Sequence, residues 1–249
     1  MRSIDSYEEQ YVSKEDLAGL FEQKYQVKYR QKIVNQSLYK YKHDSILEVG
    51  CAMDSQGNYI DDMKEYVIVE PGHEFIEKAK TDLEGKDVHY VEGFLEDKIE
   101  ILNNWNYDFI IVGSLLHELE KPELFLEKLK EVCNKETVIH TNVPNARSMH
   151  RLLAEKSGFI QDIYSLTGRN EQFQQHRVFD LETLSLLIQL AGGEIMDRGS
   201  YFVKPFTHEQ MMKCLDNGII SEAVMEGMNK MIEYMPELGS EIYVNFHFK

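Results

Sequence analysis

The sequence is short of cations, of cysteine and of long apolar runs. Lys and Arg number 27 against 43 Asp and Glu, a formal net charge of -16 at pH 7. A surface this negative repels phosphate backbones, whose non-specific binding rests on Lys and Arg. It equally disfavours anionic lipid surfaces. No Lys/Arg run interrupts the pattern, so the expected partner is a small molecule, with neither nucleic acid nor membrane. The three cysteines, Cys51, Cys133 and Cys214, lie far apart and form no CxxC pair. Such usage points to a reducing compartment without structural disulfides. No apolar run approaches the ~20 residues that span a bilayer. The opening Met-Arg-Ser-Ile-Asp-Ser-Tyr-Glu-Glu lacks the pattern of a signal peptide. The expectation is a soluble, cytoplasmic protein. None of the nine histidines stands at a zinc-like spacing from a cysteine or another histidine, so no metal is expected. His43, His73, His89 and His208 are expected to face solvent, and His140 and His247 to pack in strands.

What is present is core material: 43% hydrophobic and 11% aromatic residues in a chain of 249, enough for one large domain. Short apolar runs at 45–49, 66–69, 88–92, 109–112 and 138–141 read as strands. Helical patterns fall between them, at 74–83 and 122–132. Alternation of this kind implies βαβ units and a parallel sheet covered on both faces. A helical stretch over 7–41 precedes the first strand as a cap, residues 1–43. Beyond 141 come two insertions, 142–180 and 206–239, the second helical and rich in Met. A helix at 181–191 stops at Gly192-Gly193. Strands at 194–203 and 241–248 follow. The prediction is a single domain over 1–249.

In doubly wound sheets ligands bind beyond the carboxyl ends of the strands, so the residues just after each strand carry the chemistry. They are Glu48-Val49-Gly50-Cys51-Ala52, Glu70-Pro71-Gly72, Gly93-Phe94-Leu95-Glu96, Gly113-Ser114-Leu115-Leu116-His117-Glu118-Leu119 and Asn142-Val143-Pro144-Asn145. Gly50 lets the backbone approach a ligand closely. A carboxylate at Glu70 suits a ribose diol. Phe94 and Leu95 suit an adenine, with Glu96 or Asp97 accepting from its amino group. A nicotinamide-binding turn wants G-x-G-x-x-G, and Gly50-Cys51-Ala52-Met53-Asp54-Ser55 lacks the second and third glycines.

These segments, with Tyr107-Asp108-Phe109-Ile110-Ile111-Val112 and the later His176-Arg177-Val178-Phe179-Asp180, resemble the class I S-adenosylmethionine-dependent methyltransferases. More narrowly, they are similar to the small-molecule branch related to ubiquinone-pathway and sugar methyltransferases. The resemblance spans about residues 30–199. It implies a Rossmann-like, α/β doubly wound sheet of seven mostly parallel strands with an antiparallel last strand and helical insertions. It also implies S-adenosylmethionine as cofactor and S-adenosylhomocysteine as product. Glu48 and Gly50 match the motif that holds the methionine portion, Glu70 the ribose carboxylate, Leu95 and Glu96 the adenine segment, and Ser114 to His117 the loop beside the sulfonium. Cys51, Pro71, Phe94, Gly113 and Leu115 complete the expected cofactor set. Arg30 is expected on the donor's carboxylate. The family's first motif has glycines where this chain has Ala52 and Asp54, and Asp54 is the position expected to need a left-handed backbone.

The expected reaction is methyl transfer to a small-molecule or sugar-linked hydroxyl. His117 or His176 would take the acceptor's proton. Asn142, Asn145 and Arg151 would orient the substrate, and Arg177 would bind an anionic group on it. The alternatives are an N-methyltransferase and a non-catalytic module that binds the donor. The oligomeric state stays open, a homodimer being one option.

Overall fold

The computed structural model describes residues 16–249, and for Arg169 and Gln172 the backbone alone. The part of the expected cap helix before Asp16 lies outside the described residues. The cap that follows is nearly continuous helix: α1 (Leu17–Phe21), a π-helical turn (Glu22–Gln26) and α2 (Val27–Leu38). Asp16 starts it, its carboxylate accepting from the Gly19 amide at 2.6 Å. That bond satisfies one of the donors a helix N-terminus leaves open.

Seven strands form one sheet: β1 (Ser45–Val49), β2 (Glu65–Glu70), β3 (Val88–Glu92), β4 (Phe109–Gly113), β5 (Val138–Pro144), β6 (Gly193–Tyr201) and β7 (Glu241–Phe248). Their order is β3-β2-β1-β4-β5-β7-β6. All pairings among β1 to β5 are parallel, and β7 runs antiparallel to both β5 and β6. The order steps outward from β1 to β3 and then returns to place β4 on β1's other side. That reversal opens a crevice between the carboxyl ends of β1 and β4, where folds of this kind bind ligands.

The period of two along each strand divides the core. Leu47, Val67, Ile110, Ile139 and Val244 face one side, against Phe125 and Leu129 of α5 (Pro122–Lys130) and Leu184 and Ile188 of α8 (Leu181–Leu190). Ile46, Ile68, Phe109 and Ile111 face the other, against Val34 and Leu38 of α2 and Phe75, Ile76 and Ala79 of α3 (His73–Asp82). The short α4 (Ile99–Leu102) follows β3. A third cluster joins Phe21, Tyr25 and Tyr29 of the cap to Phe202, Met211, Met212 and Met225.

The insertions resolve differently from expectation. Residues 142–180 hold the end of β5, α6 (Met149–Lys156) and α7 (Gly168–Gln172). The Met-rich stretch is two helices, α9 (His208–Asp216) and α10 (Glu222–Lys230), rather than one. Gly218, at φ 66, breaks them apart, as a left-handed glycine just past a helix end does. Of its methionines, Met211, Met212 and Met225 are core while Met231 is 37% exposed. His43 and His208 do not face solvent freely: their side chains are 17% and 19% exposed. His43 Nδ1 sits on the Tyr41 carbonyl, and the His208 ring packs on Phe21. No helix among the described residues is long and apolar enough to cross a membrane.

Candidate cofactor and acceptor site

The carboxyl ends of β1, β2 and β3 are tied to one another. Gly50 N donates to Val69 O, and Gly93 N to Glu70 O, both at 2.9 Å. Above them lies a cavity of about 220 Å³. Of the residues expected at the cofactor, Gly50, Pro71, Phe94, Leu95, Glu96 and Leu115 line it, together with His176. A larger, more open hollow of about 480 Å³ between Glu182 and Arg198 lies on the outer edge of the sheet, along α8 and β6, where an ion pair at 2.9 Å spans it. We take the inner cavity as the site because it sits at the reversal of strand order.

Beneath the cavity floor two carboxylates shape the turn after β1. Glu70 is 4% exposed; its Oε1 accepts from Gly72 N at 2.8 Å and its Oε2 from Ala52 N at 3.2 Å. Glu48 is buried further down and accepts from the Ser55 hydroxyl, from Gln56 N at 2.9 Å and from Tyr66 OH at 3.0 Å. Burial pushes its carboxyl up to about 7, against the lowering effect of those bonds. Glu48 therefore holds the loop rather than lining the cavity. Cys51 points into the core beside Val34, Ile46 and Ile111, and burial pushes its thiol up. Besides Gly50, the left-handed residue of the turn is Ala52, at φ 45, and not Asp54. Asp54 instead accepts from Gln31, Asn58 and Tyr59, which tie it to the cap and the following turn.

After β4, Ser114 adopts φ 51. Its amide donates to Asn142 Oδ1 at 2.7 Å and Asn142 O at 3.0 Å. Gly113 pairs with Asn142 across the sheet. The Ser114 hydroxyl is buried and meets no hydrogen-bond partner among the described residues. His117 is 4% exposed, its Nε2 3.9 Å from Glu118 Oε1. The backbone brings the two candidate bases together: His117 O accepts from His176 N at 2.9 Å and from Arg177 N at 3.2 Å. His176 is exposed and Arg177 reaches Glu123 at 2.7 Å and the Glu120 carbonyl at 3.3 Å.

The remaining candidates are engaged elsewhere. Arg30 donates to Glu241 through Nε at 3.0 Å and Nη2 at 2.5 Å, and to Glu22 at 2.8 Å. Asn142 Nδ2 donates to Tyr201 OH at 3.1 Å. Asn145 donates to the carbonyls of Glu237 and Gly239 and accepts from Arg147 N, so it pins the second insertion to the first. Arg151 donates to the carbonyls of Ile163 and Ser165.

Sequence reading placed Glu118 and Leu119 in the segment after β4 without giving them a role, and missed Glu120 and Phe125; all four line the cavity. The signal was available for Glu120, which directly follows that segment. Phe125 reads only as helix core. Among the described residues the lining thus holds Glu96, Glu118 and Glu120 and no Lys or Arg side chain. A pocket with such walls favours a cationic ligand over a diphosphate. The positive φ of Gly50 at 80 and the orphaned Ser114 hydroxyl fit an adenosyl ligand with an amino-acid tail. Among the described residues no group of three or more His, Cys, Asp or Glu is placed to hold a metal.

No family model and no curated protein matches the sequence. Solved structures do. A S-adenosylmethionine-dependent methyltransferase from Thermotoga maritima, described as a possible histamine N-methyltransferase, matches with TM-score 0.63 and 15% identity, over 99% of this chain and 100% of that one. The N-methyltransferase NodS from Bradyrhizobium japonicum, in complex with S-adenosylhomocysteine, matches with TM-score 0.59 and 10% identity over 98% and 97%. The [4+2]-cyclase SpnF matches with TM-score 0.57 and 13% identity over 88% and 80%. The chain has the fold of the class I S-adenosylmethionine-dependent methyltransferases, and the cyclase shows that this fold serves more than one reaction.

Proposed function

We propose that the chain binds S-adenosylmethionine at the ends of β1 to β4 and transfers its methyl group to a small-molecule acceptor, a hydroxyl on a sugar or metabolite before others. The observation that carries the reading is the cavity at the reversal of strand order, lined among the described residues by Gly50, Phe94, Leu95 and the carboxylate of Glu96. The bound donor would supply a methyl group already activated on a sulfonium. The protein's share is alignment and the exclusion of water. Glu70 is assigned the ribose hydroxyls, Phe94 and Leu95 the adenine faces, and Glu96 its amino group. Gly50 and the turn at Ala52 leave room for the amino-acid tail. Of the two candidate bases, His176 lines the cavity, whereas His117 is buried and supports it through its carbonyl. We therefore assign the acceptor's proton to His176. Asn142, Asn145 and Arg151 spend side-chain polar atoms on protein partners and are assigned to shaping the acceptor side. Arg30 meets a donor carboxylate only by sharing its guanidinium with Glu22 and Glu241.

A nitrogen acceptor is the second reading. The same carboxylates would attract a protonated amine, and NodS is described as an N-methyltransferase.

Calorimetry with S-adenosylmethionine and S-adenosylhomocysteine tests the donor. Both should bind; folded protein that binds neither overturns the reading. Single-turnover methylation at saturating donor tests the base. His176→Gln should slow it by about 10²-fold, and an unchanged rate removes His176 from that role.

A further inference from the structure

A buried polar chain runs from the cap helix to the loop beside the cavity. Arg30, on α2, holds Glu241 through two bonds at 2.5 and 3.0 Å. Glu241, at the start of β7, accepts from the Tyr201 hydroxyl at the end of β6. Tyr201 in turn accepts from Asn142 Nδ2 at 3.1 Å, and Asn142 Oδ1 takes the Ser114 amide at 2.7 Å. Tyr201, Glu241 and Asn142 are 2%, 4% and 0% exposed.

Anchoring the cap does not require this chain. Phe21, Tyr25 and Tyr29 already pack on Phe202, Met211 and Met212, and apolar contacts serve that purpose as well as buried ions do. What the polar chain adds is direction. Each member has one partner on either side, so moving one end changes what the other can satisfy. Its far end is not arbitrary. Ser114 holds a left-handed backbone that a residue with a side chain adopts only when its surroundings impose it, and Leu115, the next residue, lines the cavity.

We propose that Tyr201 and Glu241 are positioning residues for the loop after β4, and that through them docking of the cap helix and binding at the cavity strengthen each other. This rests on the donor reading above. Neither side chain lines the cavity; both act through Asn142 and Ser114. Linkage then requires reciprocity: a ligand that favours the Ser114 turn must favour the docked cap by the same factor.

The probe is S-adenosylhomocysteine, read by calorimetry and by hydrogen exchange on the full chain. In the wild type, binding should raise protection both at 113–119 and across 27–38. Tyr201→Phe keeps the ring and removes the hydroxyl. It should weaken binding about tenfold and abolish the ligand-induced protection across 27–38, while protection at 113–119 persists. Glu241→Gln, which keeps the volume, should do the same and serves if the first variant does not fold. A purely structural role predicts a lower Tm with unchanged affinity and unchanged protection of the cap, and that result overturns the coupling alone. A folded wild type that binds no S-adenosylhomocysteine overturns the donor reading and the coupling with it.

Discussion

At the turn after β1 the backbone asks a left-handed conformation of Ala52, at φ 45. A Cβ there costs roughly 1–2 kcal/mol, of which glycine's greater freedom in the unfolded chain returns about half. Ala52→Gly should therefore raise Tm by about 1–3 °C in a thermal melt; a fall would show that the Ala52 methyl packs usefully. Glu48 gives the same turn a pH dependence. Burial raises its carboxyl from 4.5 to about 7, so folding favours the protonated form. Its contribution is complete below pH 4.5 and declines as pH rises through about 7, with a slope of up to ~1.4 kcal/mol per pH unit. Glu48→Gln should flatten the decline in urea midpoint between about pH 5 and 8; an unaltered slope would exclude Glu48 as its source. At this scale the sequence was informative where a residue follows a strand. Gly50, Pro71, Phe94, Leu95 and Glu96 line the cavity as strand-end logic expects. It was uninformative about Arg30, Asn142 and Asn145, whose partners Glu241, Tyr201 and Glu237 lie more than fifty residues away in the chain.

Among the elements, the parallel strands were legible and the insertions only in part. A strand buried on both faces must be apolar throughout, and β1, buried at all five positions, shows it. The first insertion is irregular, because its contacts are set by hubs such as Asn145 and Arg151, and the second, read as helical, breaks into two helices at Gly218. The segment that carries His176 illustrates the difference. It is held at one end by the His117 carbonyl and at the other by Asp180, which caps α8 by accepting from Thr183 N at 2.8 Å and also accepts from Tyr164 OH at 2.7 Å. Asp180→Ala removes both bonds. It should lower stability by about 1–2 kcal/mol, a fall of about 2–8 °C in Tm. It should also increase hydrogen exchange in residues 160–178. An intact Tm would mean that the cap does not hold this segment.

Over the whole molecule, the charge of -16 and the acidic cavity act in the same direction. S-adenosylmethionine carries one positive charge more than S-adenosylhomocysteine, on the sulfur where the two differ. A field that favours cations therefore discriminates between donor and product, and it does so over a distance set by salt. The screening length is about 10 Å at 0.1 M and ~3 Å at 1 M. Glu96, Glu118 and Glu120 line the cavity itself, so part of their attraction is short-ranged and survives salt, while the field of the remaining surface does not. Raising ionic strength from about 0.02 to 0.5 M should therefore weaken the donor more than the product, so that the ratio of their Kd values rises a few-fold. Paired calorimetric titrations measure that ratio directly. Glu118→Gln should lower the donor's advantage at every salt concentration without altering its salt slope, since the slope belongs to the distant charges. A ratio independent of salt would place the sulfonium outside the reach of the surface field. The acidic composition would then serve solubility alone.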